Sequence, residues 1–226
     1  MIKKTRCVIF DCEGTLVDSE RLCCQALVDV FAQFDCPVTL ADSLRHFQGG
    51  KPADVLHEAC VRYGLKVSLD TLEPLYRERK QRLYEANLTA MPGIKYLLDD
   101  LRRANIAVCI AGNSEKDKIV HALELTQLSG YFAHSIFSAF DTNTWKPDPD
   151  LLFYAALNMG VSTDECIYVD DTLKGVKAGI KAGIRTYYFR PNHSDITIEH
   201  PLVSTISSIS QLAPEILLPH SEKTAG

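Results

Sequence analysis

Five short, almost unbroken apolar runs recur along the chain, and each is followed by a stretch with helical periodicity. The runs are Cys7 to Phe10, Ile106 to Ala111, Ser135 to Ala139, Cys166 to Val169 and Thr186 to Phe189. A strand with one wet face alternates apolar and polar residues, whereas a run that is apolar throughout has both faces covered. Between the runs, Ile94, Leu97, Leu98 and Leu101 keep the i, i+3, i+4, i+7 spacing of a buried helix face. Ile119, Leu123 and Leu128 mark another such face. This alternation predicts an α/β fold built on a doubly wound parallel sheet.

From Asp18 to Ala90 the alternation stops and no strand is expected. Leu22, Ala26, Leu27, Val30, Phe31 and Phe34 mark one helix. Val55, Leu56, Ala59, Cys60 and Tyr63 mark a second, with Pro52 suited to its first turn and Gly64 to its end. Leu72, Leu75, Tyr76 and Leu83 mark a third, with Pro74 in its first turn. The reading is a helical cap domain of residues 18–90 inserted into a core domain of residues 1–17 and 91–226. Met91-Pro92-Gly93 is the return hinge, and Pro214 to Gly226 is expected to fray.

With 226 residues the chain can bury a core without disulfides or structural metal. A net charge of −5 argues against nucleic acid or an anionic membrane as partner, since both need a basic face. None of the eight cysteines forms a C-x-x-C pair, so they read as buried free thiols of a cytoplasmic protein. The apolar stretch before Asp11 is too short for a signal-peptide core, and no run reaches the roughly 20 residues of a membrane span. The oligomeric expectation is a monomer or weak dimer.

In open α/β sheets ligands bind beyond the carboxyl ends of the strands. Those ends read Asp11-Cys12-Glu13-Gly14-Thr15, Ala111-Gly112-Asn113-Ser114, Trp145-Lys146-Pro147 after the third run, and Val169-Asp170-Asp171-Thr172. Asp11, Glu13, Asp170 and Asp171 therefore converge with Lys146 on one crevice. Clustered carboxylates repel unless a cation compensates, and a hard divalent ion such as Mg²⁺ answers that need. The Gly14-Thr15 turn offers N–H groups to a phosphate, and Lys146 neutralises one of its charges.

The string V-I-F-D-C-E-G-T-L-V-D-S-E, Lys146 before Pro147, and Val169-Asp170-Asp171 with its following Gly175, Gly179 and Gly183 resemble the motifs of the haloacid dehalogenase (HAD) superfamily. The position of the helical cap is similar to that of the β-phosphoglucomutase-like branch. This resemblance implies Asp11 as nucleophile, Glu13 as general acid and base, and Lys146 as phosphate-binding and catalytic. It implies Mg²⁺ held by Asp11, the Glu13 backbone carbonyl and Asp171, with Asp170 close by. Phosphate would meet Gly14, Thr15, Gly112, Asn113 and Lys146. In the cap, Phe47, Gly49 and Lys51 match an F-x-G-x-K pattern, and Gly50 and Lys51 would reach the substrate.

Two positions depart from the pattern. Glu13 stands where the family carries Asp, and Gly112 where it carries Ser or Thr; Ser114 follows two residues later. The implied function is Mg²⁺-dependent hydrolysis of a small phosphorylated metabolite, a sugar phosphate above all. A phosphomutase shares every motif, and the two departures also suit a weakly active or non-catalytic metabolite binder. Cys12 is expected to point into the fold. Arg77, Arg79, Lys80 and Arg82 read as a solvated helix face, and the three glycines as close-approach positions for their helix.

Overall fold

The computed structural model describes residues 4–46, 49–191 and 198–217. In chain order the elements are β1 (Cys7–Phe10), α1 (Glu20–Ala32), α2 (Leu40–His46), α3 (Pro52–Tyr63), α4 (Leu69–Asn87), α5 (Ile94–Arg103) and β2 (Ala107–Gly112). There follow α6 (Lys116–Leu125), α7 (Ser129–Phe132), β3 (Ile136–Ser138), α8 (Ala139–Thr142), α9 (Asp150–Asn158) and β4 (Cys166–Asp170). The chain continues through α10 (Leu173–Lys181), β5 (Arg185–Phe189), β6 (Val203–Ile206) and α11 (Leu212–Leu217). The strands form one parallel sheet in the order β3-β2-β1-β4-β5-β6. The expected doubly wound sheet is therefore present, with its strand order reversing on either side of β1.

Alternate residues of each central strand serve opposite faces, as the pleat dictates. Val8, Phe10, Ile110, Ile167 and Val169 pack with Ile94, Leu97, Leu98 and Leu101 of α5, Ile119 and Leu123 of α6, and Leu212 and Ile216 of α11. Cys7, Ile9, Cys109, Ala111 and Tyr168 pack with Leu151, Leu152 and Ala155 of α9 and Ala178 of α10. Covering on both faces is why these strands read as unbroken apolar runs.

Helices α1, α3 and α4 gather around an apolar cluster of their own, with Phe31, Leu56 and Leu72 fully buried. Pro52 opens α3 and Gly64 closes it at φ 72°, as expected. The chain leaves and re-enters the sheet as a pair of facing segments: Asp18 N–H donates to Thr89 O, and Met91 N–H to Leu16 O, both at 2.9 Å.

Several expectations need correction. The insert holds four helices, because α2 is short and presents only Ser43 to the interior, leaving no apolar stripe to read. Pro74 sits in the interior of α4, not its first turn, because the helix starts earlier, at Leu69 after its N-cap Ser68. A sixth strand, β6, was not expected: it is an edge strand with a mixed sequence and only Ile206 buried. Residues 214–217 do not fray but continue α11, which buries Leu212 and Ile216; 218–226 lie outside the described residues, as do Phe47 and Gln48 of the cap loop. Among the described residues no helix is long and apolar enough to cross a membrane. Cys7, Cys12, Cys23, Cys24, Cys109 and Cys166 are buried free thiols, and Cys36 and Cys60 are half-buried.

Candidate active site

Asp11 follows the last residue of β1, and its N–H donates to Val169 O of the neighbouring strand at 2.9 Å. That bond fixes the backbone where β1 and β4 release their chains together, so Asp11 and Asp171 emerge side by side. Asp11, Asp170 and Asp171 each place a carboxylate oxygen within 4.8 Å of the others. Asp11 and Asp170 are buried, and Asp171 is half-buried.

Lys146 enters this group from the loop between α8 and α9. Its Nζ lies 2.5 Å from Asp11 Oδ1, 2.8 Å from Asp170 Oδ2, 3.1 Å from Tyr168 Oη and 3.3 Å from Ala111 O. Burial works against its charge, but Asp11 and Asp170 hold its pKa well above the usual lysine range. The loop is pinned by Lys146 N–H donating to Asn113 Oδ1 at 3.0 Å. Asn113 Oδ1 thus positions Lys146.

Asp170 is more heavily engaged than the sequence suggests. Tyr168 Oη donates to Oδ2, while Thr172 N–H and Oγ1 both donate to Oδ1 at 2.7 Å. A β-carbon on Gly175 would fall inside this carboxylate, so the glycine serves that close approach. Gly179 likewise lies against Thr186 and Tyr168, whereas Gly183 meets nothing and follows the helix end at φ 68°. Tyr168 was missed as a site residue; its place two positions before Asp170 on one strand puts both side chains on one face.

Asp171 receives the Thr15 hydroxyl on Oδ1 at 3.0 Å and lies over Gly14. Gly14 has φ 84°, and any β-carbon there would overlap the Asp171 carboxylate. Both reasons require glycine at this turn. Burial, outweighing the pull of Lys146 and reinforced by Asp170, raises Asp11 to about 7. Burial and then the charges of Asp170 and Asp11 raise Asp171 well above the carboxylate range. Three oxygen donors with too little positive charge suit a hard divalent cation such as Mg²⁺, and the residues present fit one.

Glu13 is held in the opposite sense. Burial disfavours its charge, but Lys80 Nζ and Tyr84 Oη donate to Oε1 and Ser114 Oγ donates to Oε2, each at 2.7 Å. The ammonium and these donors bring its pKa down to about 2. Lys80 is therefore not part of a solvated face, and Arg79 pairs with Asp29 at 2.6 Å. The run of basic residues hid this, because nothing in the spacing says which of them faces the core. Ser114 goes to Glu13, and Ile119 occupies the space beside Gly112, where a β-carbon would come within 3.0 Å of its Cδ1. Cys12 points into the core, as expected.

A cavity of about 550 Å³ lies over these groups. Gly49, Gly50 and Lys51 line it from the cap loop; Trp145, Phe140 and Lys174 line it from the sheet side. Lys51 is exposed and rests its ammonium 3.8 Å from the Trp145 ring centre. The site residues Asp11, Glu13, Gly14, Gly112, Asn113, Lys146 and Asp171 face the same cavity. Thr15 and Asp170 lie behind it, each bonded to a residue of the site.

Residues 8–189 match the model of the haloacid dehalogenase-like hydrolases. The chain belongs to the haloacid dehalogenase-like hydrolase family. This hydrolase is 34% identical over 215 residues to the 6-phosphogluconate phosphatase of Escherichia coli, covering 95% of this chain and 96% of that one. It is 26% identical over 181 residues to the phosphorylated carbohydrates phosphatase of Thermotoga maritima, covering 80% and 83% of the two. Its fold matches a haloacid dehalogenase-like protein of unknown function from Agrobacterium tumefaciens with a TM-score of 0.78 at 26% identity, over 94% of this chain and 97% of that one.

Proposed function

We propose that this hydrolase is a Mg²⁺-dependent phosphatase of small phosphorylated metabolites, sugar phosphates above all, working through an aspartyl-phosphate on Asp11. One observation carries the reading: Lys146 Nζ sits 2.5 Å from Asp11 Oδ1 on the floor of a cavity sized for a small metabolite. The names of the Escherichia coli and Thermotoga maritima relatives support the substrate class. Residues 18–90 act as a cap domain over a core of 1–17 and 91–226.

Lys146 binds Asp11 through Oδ1 and so fixes the carboxylate's orientation at the cavity floor. Asp11 attacks phosphorus, and the bond to the leaving oxygen breaks. Lys146 and the N–H groups of Gly112 and Asn113 take up the phosphoryl charge. Gly14 N–H donates to Val17 O at 3.0 Å and Thr15 N–H to Cys12 O at 3.4 Å, so these two groups shape the turn and, contrary to expectation, do not reach the phosphate. Glu13 transfers the protons, giving one to the leaving oxygen and taking one from the water that hydrolyses the intermediate. Its three donors favour the carboxylate and hence the second half of the cycle. Mg²⁺, when bound, neutralises the clustered charge; Asp11, Asp171 and the Glu13 backbone carbonyl would hold it, with Asp170 behind. Lys51 and Gly50 meet the non-reacting end of the substrate.

The test is turnover of a sugar-phosphate panel with Mg²⁺ or EDTA, for wild type and Asp11→Asn. Activity that vanishes with EDTA and in the variant is expected. Activity that survives both removes the mechanism.

A further inference from the structure

Glu13 is gripped from both sides of the cleft. Lys80 and Tyr84, one turn apart on α4, hold Oε1, and Ser114, in the loop after β2, holds Oε2. The same face of α4 carries Arg77, whose Nη1 lies 3.6 Å from Glu115 Oε1 in that loop. Positions 77, 80 and 84 follow the i, i+3, i+7 spacing of one helix face. On the opposite rim, Lys51 rests on Trp145, and Asp54 lies 3.5 Å from Lys174.

An aspartate carboxyl would end about 1.5 Å short of this position, one carbon–carbon bond less. It could not accept from α4 and from Ser114 together in this arrangement. The two departures from the family pattern thus belong to one arrangement: the longer acid reaches across to the cap, and the loop's hydroxyl has moved from position 112 to 114, where it holds that acid. We propose that Lys80 and Tyr84 are positioning residues for Glu13, and that the Glu13 carboxylate is a cap–core tie which assembles the proton-transfer group only when α4 is seated. The role of Glu13 rests on the phosphatase reading; the tie itself does not.

Trp145 is the only tryptophan in the chain and lies under a cap lysine, so its fluorescence reports seating of the cap. The experiment uses the full chain with Mg²⁺. Acrylamide quenching of Trp145 is measured beside kcat and KM on p-nitrophenyl phosphate and 6-phosphogluconate. The variants are Lys80→Met, Lys80→Arg, Tyr84→Phe, Glu13→Gln and the Lys80→Met/Glu13→Gln double.

Lys80→Met is expected to make Trp145 more quenchable and to lower kcat on both substrates by roughly 10- to 100-fold, the scale of an ångström-sized misplacement. KM should change less than kcat, Lys80→Arg should recover part of the loss, and the double should be no worse than Glu13→Gln alone. Tyr84→Phe keeps the ring and loses only the hydroxyl, so a smaller effect of the same kind is expected even if Lys80→Met folds poorly. A raised KM for 6-phosphogluconate with kcat intact would make Lys80 a substrate-binding cation and overturn the proposal. Additive losses in the double, or unchanged quenching in Lys80→Met and Tyr84→Phe, would also overturn it. Absence of turnover in wild type would remove the phosphatase reading, and the quenching data would still decide the tie.

Discussion

Asp170 accepts from the Lys146 ammonium at 2.8 Å, and no part of its side chain reaches solvent. With Oδ1 taken by Thr172 and Oδ2 shared by Lys146 and Tyr168, this carboxylate anchors the lysine that meets Asp11. The buried cation and its two carboxylates act as a unit, so removing one partner strands the others. Lys146→Met is expected to cost about 3–5 kcal/mol, the usual price of an uncompensated buried charge, and to abolish turnover. Urea unfolding checks this; a loss under about 1 kcal/mol would mean that the cluster relaxes by protonation instead.

Mg²⁺ should stabilise the protein more at pH 8 than at pH 5. The metal-free native state holds Asp11 at about 7, above its unfolded value of about 3.9. It therefore binds more protons than the unfolded chain between those values, and its stability falls as pH rises through that window. A divalent cation replaces the missing protons, so its contribution grows over the same range. Thermal melts with and without Mg²⁺ at the two pH values measure it; an equal shift at both would show that Asp11 does not titrate with the metal.

Glu13→Asp is expected to be slower than wild type. Three donors converge on the glutamate carboxyl at 2.7 Å, and a shorter side chain leaves at least one of them. A kcat loss of roughly 10-fold or more is the expected scale. Steady-state kinetics decide it, and a faster variant would mean that glutamate is a defect here.

Gly112→Ser should not restore a phosphate-binding hydroxyl. Its β-carbon meets Ile119 Cδ1 at 3.0 Å, so the substitution is expected to lower stability and leave kcat unimproved. Pairing it with Ile119→Val makes room, and only the pair should gain activity. A gain from Gly112→Ser alone would show that Ile119 yields freely.

Gly14→Ala combines an unfavourable positive φ with overlap on Asp171. Activity should fall at least 10²-fold, because the turn that carries the site must move. Isothermal titration should show weakened Mg²⁺ binding. Near-normal kinetics would contradict the close packing of Gly14 on Asp171.

Much of the sheet was legible because both of its faces are covered: β1 and β4 carry no polar residue until the chain reaches its catalytic end. Asp11, Asp171 and Lys146 were legible by position at strand ends, and the structure brings them together. Edge strand β6 and helix α2 bury too little to leave a pattern. Lys80, Tyr84 and Ser114 were not legible, because their partner lies 67, 71 and 101 residues away in sequence and only the seating of α4 brings them to it. Tyr168 was hidden for another reason: in a buried strand an aromatic reads as core.

The most direct measurement is rapid quench of wild type and Asp11→Asn during turnover of 6-phosphogluconate, followed by mass spectrometry of the peptide that contains residue 11. A phosphoryl adduct on Asp11 in wild type, absent from an inactive Asp11→Asn, is expected. Rapid turnover with no adduct at any point in the time course, together with an active Asn variant, would contradict Asp11 as the nucleophile.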